Sequence, residues 1–182
     1  ALAAMWRAAG IEPQATAGSS QGEVTAAYVA GGLSLDDACR VIALRSRIYA
    51  RLVGKGGMVA LALPRAEVGE LITRWDGRIE IAAVNGSRAV VVAGEHPALD
   101  ELVEHCAGHD IQATRVRAAW ASHTVQVDEY REELLDALAG LRPRTSPVPF
   151  YSTVFDRWVD TAELDAQYWF DNVRRTVELE AG

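Results

Sequence analysis

At 182 residues the chain has the length of one ordinary domain, and with 49% hydrophobic and 24% charged residues it can bury a core and is no disordered chain. Its net charge of -7 argues against nucleic acid or an anionic membrane surface as the main partner. No apolar run approaches the roughly 18 residues that a membrane span needs, and the two cysteines, Cys39 and Cys106, form no disulfide framework, which points to a reducing, cytoplasmic setting. The N-terminus has no basic stretch ahead of a long apolar segment and so does not read as a signal peptide. It lacks an initiator Met and is helix-like from the outset, so the chain reads as a piece of a longer one.

Residues 2–9 carry a helical pattern that Gly10 ends, and Pro13 closes the turn before a short run of small residues, Ala15-Thr16-Ala17. Gly18-Ser19-Ser20-Gln21-Gly22 follows, and then a helix-like stretch to Ala30. A G-x-S-x-G pattern between strand and helix is the setting of a nucleophile elbow. Its outer glycines permit a tight turn, and Ser20 is then presented at a helix N-terminus, where free N–H groups favour developing negative charge. Ser20 is the candidate nucleophile and the Gln21 N–H a candidate oxyanion donor. The plain alternative is a small-residue turn with no chemistry.

Ser34 has the character of an N-cap, with Asp37 as capping acid, for a helix expected over 35–53. At 100° per residue Leu35, Ala38, Val41, Ile42, Leu44, Ile48, Tyr49 and Leu52 share one half of its circumference, and Arg45 lies mid-arc among them. A guanidinium facing a core is costly unless paired. Either an internal carboxylate such as Glu23 pairs it or it snorkels to the surface, or it faces a cavity and holds an anionic ligand.

After the Gly-rich joint 54–57, the pattern predicts a strand at 58–63, a helix at 65–75 and a strand at 79–84. A hairpin turn at Asn85-Gly86, a partner strand at 88–93, a helix from Pro97 to about 107 and a strand at 111–116 complete the series. The order β-α-β-β-α-β is that of a ferredoxin-like unit. Beyond Arg117, Trp120-Ala121-Ser122-His123 leads into a helix expected over 125–138; Phe150 to Val154 suits a buried strand, and 160–182 is helical in parts.

A serine nucleophile at neutral pH needs a base. Of four histidines, His96 sits exposed at a helix start, and His105 and His109 flank Cys106 without enough further ligands for a metal site. His123, at a loop-to-helix junction among apolar residues, is the favoured base; a backbone carbonyl would suffice to fix its tautomer.

Gly-x-Ser-Gln-Gly-Glu at 18–23, Ala43-Leu44-Arg45-Ser46-Arg47, Gly56-Gly57-Met58, Ala83-Val84-Asn85-Gly86, Ala121-Ser122-His123 and Pro149-Phe150-Tyr151-Ser152-Thr153-Val154 occur in this order. Together they resemble the acyltransferase domains of modular type I polyketide synthases, relatives of malonyl-CoA:acyl-carrier-protein transacylases, over essentially the whole chain. The resemblance implies that Ser20 takes an acyl group from coenzyme A and passes it to the phosphopantetheine thiol of an acyl carrier protein, with His123 as base. It implies that Arg45 pairs with the free carboxylate of a malonyl-type extender unit and that the main-chain carbonyl of Asn172 orients the histidine. Acyl-CoA is then a substrate, with no metal and no cofactor resident in the domain, and a ketosynthase domain and linker are neighbours in the same polypeptide.

Two positions depart from the family pattern. Ser19 stands where histidine usually precedes the nucleophile, and Trp120 begins a specificity motif that methylmalonyl-selective domains typically begin with Tyr. Ser122 leaves room for an α-methyl group where malonyl-selective domains have Phe, so methylmalonyl is expected over malonyl, with ethylmalonyl or an unusual unit left open by the atypical Trp120. A starter-unit transferase and a degenerate scaffold domain are the alternatives. The fold class expected is α/β: an α/β-hydrolase-like core over 1–57 and 117–182, incomplete at both ends, carrying the elbow, with an inserted ferredoxin-like subdomain at 58–116.

Overall fold

A computed structural model describes residues 2–118 and 120–180. The chain opens with α1 (Leu2–Ala8), none of whose residues is buried. β1 (Thr16–Ala17) then runs directly into the turn that starts α2 (Gly22–Ala30). Gly31, at φ +98°, ends α2, and its N–H returns to the carbonyls of Ala27 and Tyr28, a left-handed cap that glycine adopts without strain. α3 (Leu35–Leu52) begins at Ser34, whose hydroxyl accepts the Asp37 N–H at 3.0 Å, the cap the sequence predicts.

Two sheets follow, each with its own hydrophobic core. The smaller pairs β1 in parallel with β6 (Phe150–Ser152), and β6 antiparallel with β7 (Arg157–Val159). The predicted strand thus stops at Ser152 and folds back through a hairpin, whose Asp156 takes a positive φ of 54° and accepts the Tyr151 hydroxyl at 2.6 Å. Around this sheet α2, α3, α6 (Arg131–Leu138) and α7 (Ala166–Arg174) bury Leu52, Leu134, Phe150, Leu164 and Trp169. The helix expected over 125–138 begins instead as a 3-10 turn, Val125–Tyr130, before α6.

The second sheet contains β2 (Gly57–Leu61), β3 (Ile79–Gly86), β4 (Ala89–Gly94) and β5 (Ala113–Arg115), with α4 (Arg65–Ile72) and α5 (His96–Ala107) interleaved in the expected β-α-β-β-α-β order. The helices cover the sheet with a core of Val59, Val68, Trp75, Val92, Leu99 and Leu102. The hairpin turn lies at Ser87-Arg88 rather than Asn85-Gly86, because Gly86 still pairs with Ala89 and register shifts beside Ala82 and Asn85 lengthen β3. A fifth strand, β8 (Val177–Glu178), arrives from the far end of the chain and pairs in parallel with β3, giving the order β5-β2-β4-β3-β8. The link from α7 to β8 therefore ties the two sheets together. Arg174, at the end of α7, strengthens the tie through ion pairs to Glu80 and Asp128, each at 3.0 Å.

Among the described residues no helix is long and apolar enough to cross a membrane. The expected partial helicity of 160–182 is met by α7, and positions 181–182 lie outside the described residues. Leu99, fully buried between α5 and its sheet, is the test of the second core. Leu99→Ala is expected to cost about 2–5 kcal/mol, read as a lowered denaturant midpoint of the unfolding transition.

Candidate active site

The turn after β1 holds Ser20 at φ +49°, a left-handed backbone that a non-glycine residue adopts only when its surroundings enforce it. Gly18 is sterically obligatory here: a Cβ there would lie 2.3 Å from the Gly22 carbonyl carbon. Gly22 is not, since a Cβ at that position meets nothing within 4 Å. The Gln21 N–H, at the N-cap of α2, has no acceptor among the described residues and is free for a ligand oxygen.

Beneath the turn Glu23 is fully buried. Its Oε1 accepts from the Thr153 N–H at 2.5 Å, and its Oε2 from the Tyr168 hydroxyl and the Asn172 Nδ2, both at 2.7 Å. Burial raises the carboxyl above its ordinary value, and these donors offset only part of that rise. The result is a rigid floor joining α2, α7 and the end of β6.

His123 reaches Ser20 from the loop that leaves the second sheet. Its Nε2 lies 3.0 Å from the Ser20 Oγ. The Asn172 carbonyl does not orient the ring, contrary to the sequence expectation; the Arg175 carbonyl does, at 2.7 Å from Nδ1. The reason is local: α7 ends at Arg174, and Arg175 is extended, at φ -82° and ψ 157°, which frees its carbonyl to face the imidazole. A carbonyl only accepts, so Nδ1 carries the proton and Nε2 is left as the acceptor facing the serine hydroxyl. Burial, with the Arg45 charge adding to it against the Arg175 hydrogen bond, lowers the His123 pKa to about 4. The imidazole is therefore neutral at pH 7, with its Nε2 lone pair directed at the serine hydroxyl.

Arg45 is 2% exposed, so of the alternatives open at its place on the apolar arc of α3 it does not snorkel to the surface. Glu23 does not pair with it directly. Its partners are neutral: Asn172 Oδ1 at 2.6 Å, the Tyr49 hydroxyl at 2.8 Å and Ser20 Oγ at 3.2 Å. Asn172, whose amide also donates to the Ser20 carbonyl at 3.2 Å, thus stands between the guanidinium and the Glu23 carboxylate. The Arg45 Nε is buried and has no partner among the described residues.

Ser19, Ser20, Gln21, Arg45, Trp120, Ser122 and His123 converge on one open cavity of about 300 Å³, whose remaining wall is mostly apolar and includes Met58, Ala83, Val91 and Val177. Ala121 does not reach it; fully buried, it packs with Ala82 and Ala93. Sequence reasoning missed Tyr49 and Arg175. Tyr49 was detectable as the i+4 neighbour of Arg45 on the same helical face. Arg175 carries no side-chain signal, since it acts through its main chain. Among the other histidines, the His105 and His109 rings lie 4.0 Å apart with Arg74 against His105, and no group of three or more metal-binding side chains occurs among the described residues.

A profile of the acyl transferase domain family matches residues 1–182. The chain belongs to that family. It is 50% identical over 183 aligned positions to the polyketide synthase GfsA of Streptomyces halstedii, covering 99% of this chain and 2% of that protein. The acyltransferase domain from module 8 of the salinomycin polyketide synthase superposes with a TM-score of 0.97 at 48% identity, over 99% of this chain and 43% of that one. A loading acyltransferase from the avermectin modular polyketide synthase gives 0.96 at 38% identity, over 100% of this chain and 58% of that one. The chain is thus acyltransferase-domain sequence of the modular polyketide synthase kind, with the mixed α/β fold of those structures, and spans a small part of the length of such synthases.

The low His123 pKa has a consequence for stability. An unfolded imidazole takes a proton near 6.5 and this one only near 4, so between those values only the unfolded chain is protonated. The His123 contribution therefore falls as pH drops from 6.5 toward 4 and changes no further below it. Chemical denaturation between pH 7 and 5 is expected to show a steeper loss of stability in the unsubstituted protein than in His123→Gln.

Proposed function

We propose that this chain forms the acyl-transfer site that moves an extender unit, methylmalonyl by preference, from coenzyme A to the phosphopantetheine thiol of an acyl carrier protein. The observation that carries the reading is the placement of both His123 Nε2 and Arg45 Nη2 on the Ser20 Oγ, at 3.0 and 3.2 Å, inside one cavity. Neutral His123 accepts the Ser20 proton as Oγ attacks the thioester carbonyl. The oxyanion that forms is met by the Gln21 N–H and the N-terminus of α2. Collapse breaks the C–S bond, the CoA sulfur leaves with the proton from His123, and the acyl group rests as an ester on Ser20. The phosphopantetheine thiol then gives its proton to His123 and attacks that ester, which restores the serine.

Arg45 supplies the charge that a dicarboxylic half-thioester needs at the end remote from the reacting carbonyl. Small side chains at Ser122 and Ser19 leave space beside the nucleophile for an α-substituent, with Trp120 on the wall. The acyl carrier protein, a ketosynthase domain and its linker are the proposed partners, acyl-CoA the substrate, and the cytoplasm the site of action. The chain is proposed to divide into an α/β-hydrolase-like core over 1–57 and 117–182 and a ferredoxin-like subdomain over 58–116. Separate hydrophobic cores support that division. The β8 strand that the main body lends to the second sheet qualifies it.

The test is peptide mass spectrometry of the full-length protein incubated separately with malonyl-, methylmalonyl-, ethylmalonyl- and propionyl-CoA. The Ser20 peptide is expected to gain the methylmalonyl mass, and Ser20→Ala to gain none. Arg45→Ala is expected to lower methylmalonyl loading about 100-fold, the scale of removing one partner of a desolvated charge pair, while propionyl loading falls far less. Equal losses for the two esters would refute the carboxylate role.

A further inference from the structure

Tyr49 lines this cavity and, like Asn85, is given no role by the motifs or the mechanism; of the two, only Tyr49 contacts Arg45. It lies one turn beyond Arg45 on α3, and its hydroxyl oxygen accepts from Arg45 Nη2 at 2.8 Å. Because that oxygen is the acceptor, the phenolic proton points elsewhere, and it has no acceptor among the described residues. The hydroxyl thus brings to the cavity a free donor next to the guanidinium.

The guanidinium is in the same condition. Of its five N–H groups three are used, by Asn172, Tyr49 and Ser20, and the buried Nε is among those left without a partner. A buried donor with no acceptor is a standing cost unless a ligand supplies one. Arg45 and Tyr49 both line the cavity, so a carboxylate bound there would meet one charged and one neutral donor group.

Trp120 fixes where the phenol can go. Its ring stacks on that of Tyr49 with centroids 5.4 Å apart and planes 13° from parallel, while the Arg45 guanidinium carbon lies 5.3 Å from the same phenol centroid. Arg45, Tyr49 and Trp120 therefore form a connected series, in which the indole limits the swing of the phenol and the phenol sets the depth of the guanidinium. Trp120 acts in this series as a positioning residue.

We propose that the Tyr49 hydroxyl is a second recognition group for the free carboxylate of the acyl substrate, donating to it beside Arg45, and that Trp120 holds it in place; this rests on the carboxylate-pairing reading of Arg45 given above. The carboxylate is then met by one cation and one phenol. An acyl-CoA with no second carboxylate fills neither donor, which widens the discrimination that Arg45 provides by itself.

The test measures Ser20 acylation rates of the full-length protein against concentration for methylmalonyl-CoA and propionyl-CoA, in the unsubstituted protein and in Tyr49→Phe, Trp120→Ala, Trp120→Phe and the Tyr49→Phe/Trp120→Ala double variant. Tyr49→Phe keeps the ring and its stacking. It is expected to raise the half-saturating methylmalonyl-CoA concentration about tenfold, the scale of one hydrogen bond to a charged group, with the limiting rate within about twofold and propionyl-CoA unaffected. Trp120→Ala is expected to shift methylmalonyl-CoA in the same direction, Trp120→Phe to restore it, and the double variant to be no worse than Tyr49→Phe, since both act through one hydroxyl. An unchanged methylmalonyl-to-propionyl ratio in Tyr49→Phe, or an equal fall for both esters, overturns the proposal. A full additional loss in the double variant overturns the part given to Trp120. If Arg45→Ala leaves the ratio unchanged as well, the carboxylate reading itself fails, and that outcome is separate from a failure of Tyr49 alone.

Discussion

The site depends on a buried cation and a buried anion held apart by one amide. Arg45 and Glu23 are both withdrawn from water, and each charge would be costly alone. Asn172 joins them, accepting from the guanidinium through Oδ1 and donating to the carboxylate through Nδ2. A direct ion pair would have used the guanidinium fork on protein. The intervening amide lets Glu23 offset the charge at a distance while leaving two N–H groups of Arg45, a residue that lines the cavity, without an acceptor among the described residues. The same amide grips the Ser20 carbonyl, so the left-handed turn, the charged helix α3 and the helix α7 are held by one side chain.

The geometry of the base follows from the end of α7. Where the helix stops, the chain straightens, turns the Arg175 carbonyl to His123 and continues into β8 at the edge of the second sheet. The Val173 carbonyl meanwhile accepts the His123 N–H at 2.9 Å, so backbone and ring are both held by this segment. A main-chain acceptor fixes the tautomer without adding a negative charge beside the ring. Burial can then keep the imidazole neutral, whereas a carboxylate in that place would stabilise its protonated form. The Ser–His pair stands without a third acidic residue for this reason.

The cavity is divided by chemistry. Polar groups gather at the Ser20 end and beside α3, while the wall from the second sheet is mostly apolar through Met58, Ala83 and Val91, with Asn85 as its polar member. The half-thioester of the proposed reaction would present corresponding parts: a reacting carbonyl, a remote charge and a small apolar branch. Charge selection in the proposed reaction falls to α3, and branch size to the short loop carrying Ser122 and to Ser19 on the elbow.

Much of this was written in local sequence. The elbow, the Ser34 cap, the burial of Arg45 and the alternation of strands and helices through the second sheet are set by spacing and by glycine or capping residues, whose effects act within a few positions. The motif series also carried the family. Other features depended on distant segments meeting. The approach of His123 to Ser20 spans 103 positions and that of Asn172 to Arg45 spans 127, and no local pattern encodes such a contact. The carbonyl facing His123 belongs to Arg175 rather than Asn172 because a helix end, not a residue type, decides which carbonyl is free. The hairpin turn moved from Asn85-Gly86 because pairing with β4 continued past the turn-prone residues. Sequence determined the chemical groups and the faces they lie on; the tertiary structure decided which of them meet, since only packing of α3, α7 and the two sheets fixes distances across more than a hundred residues.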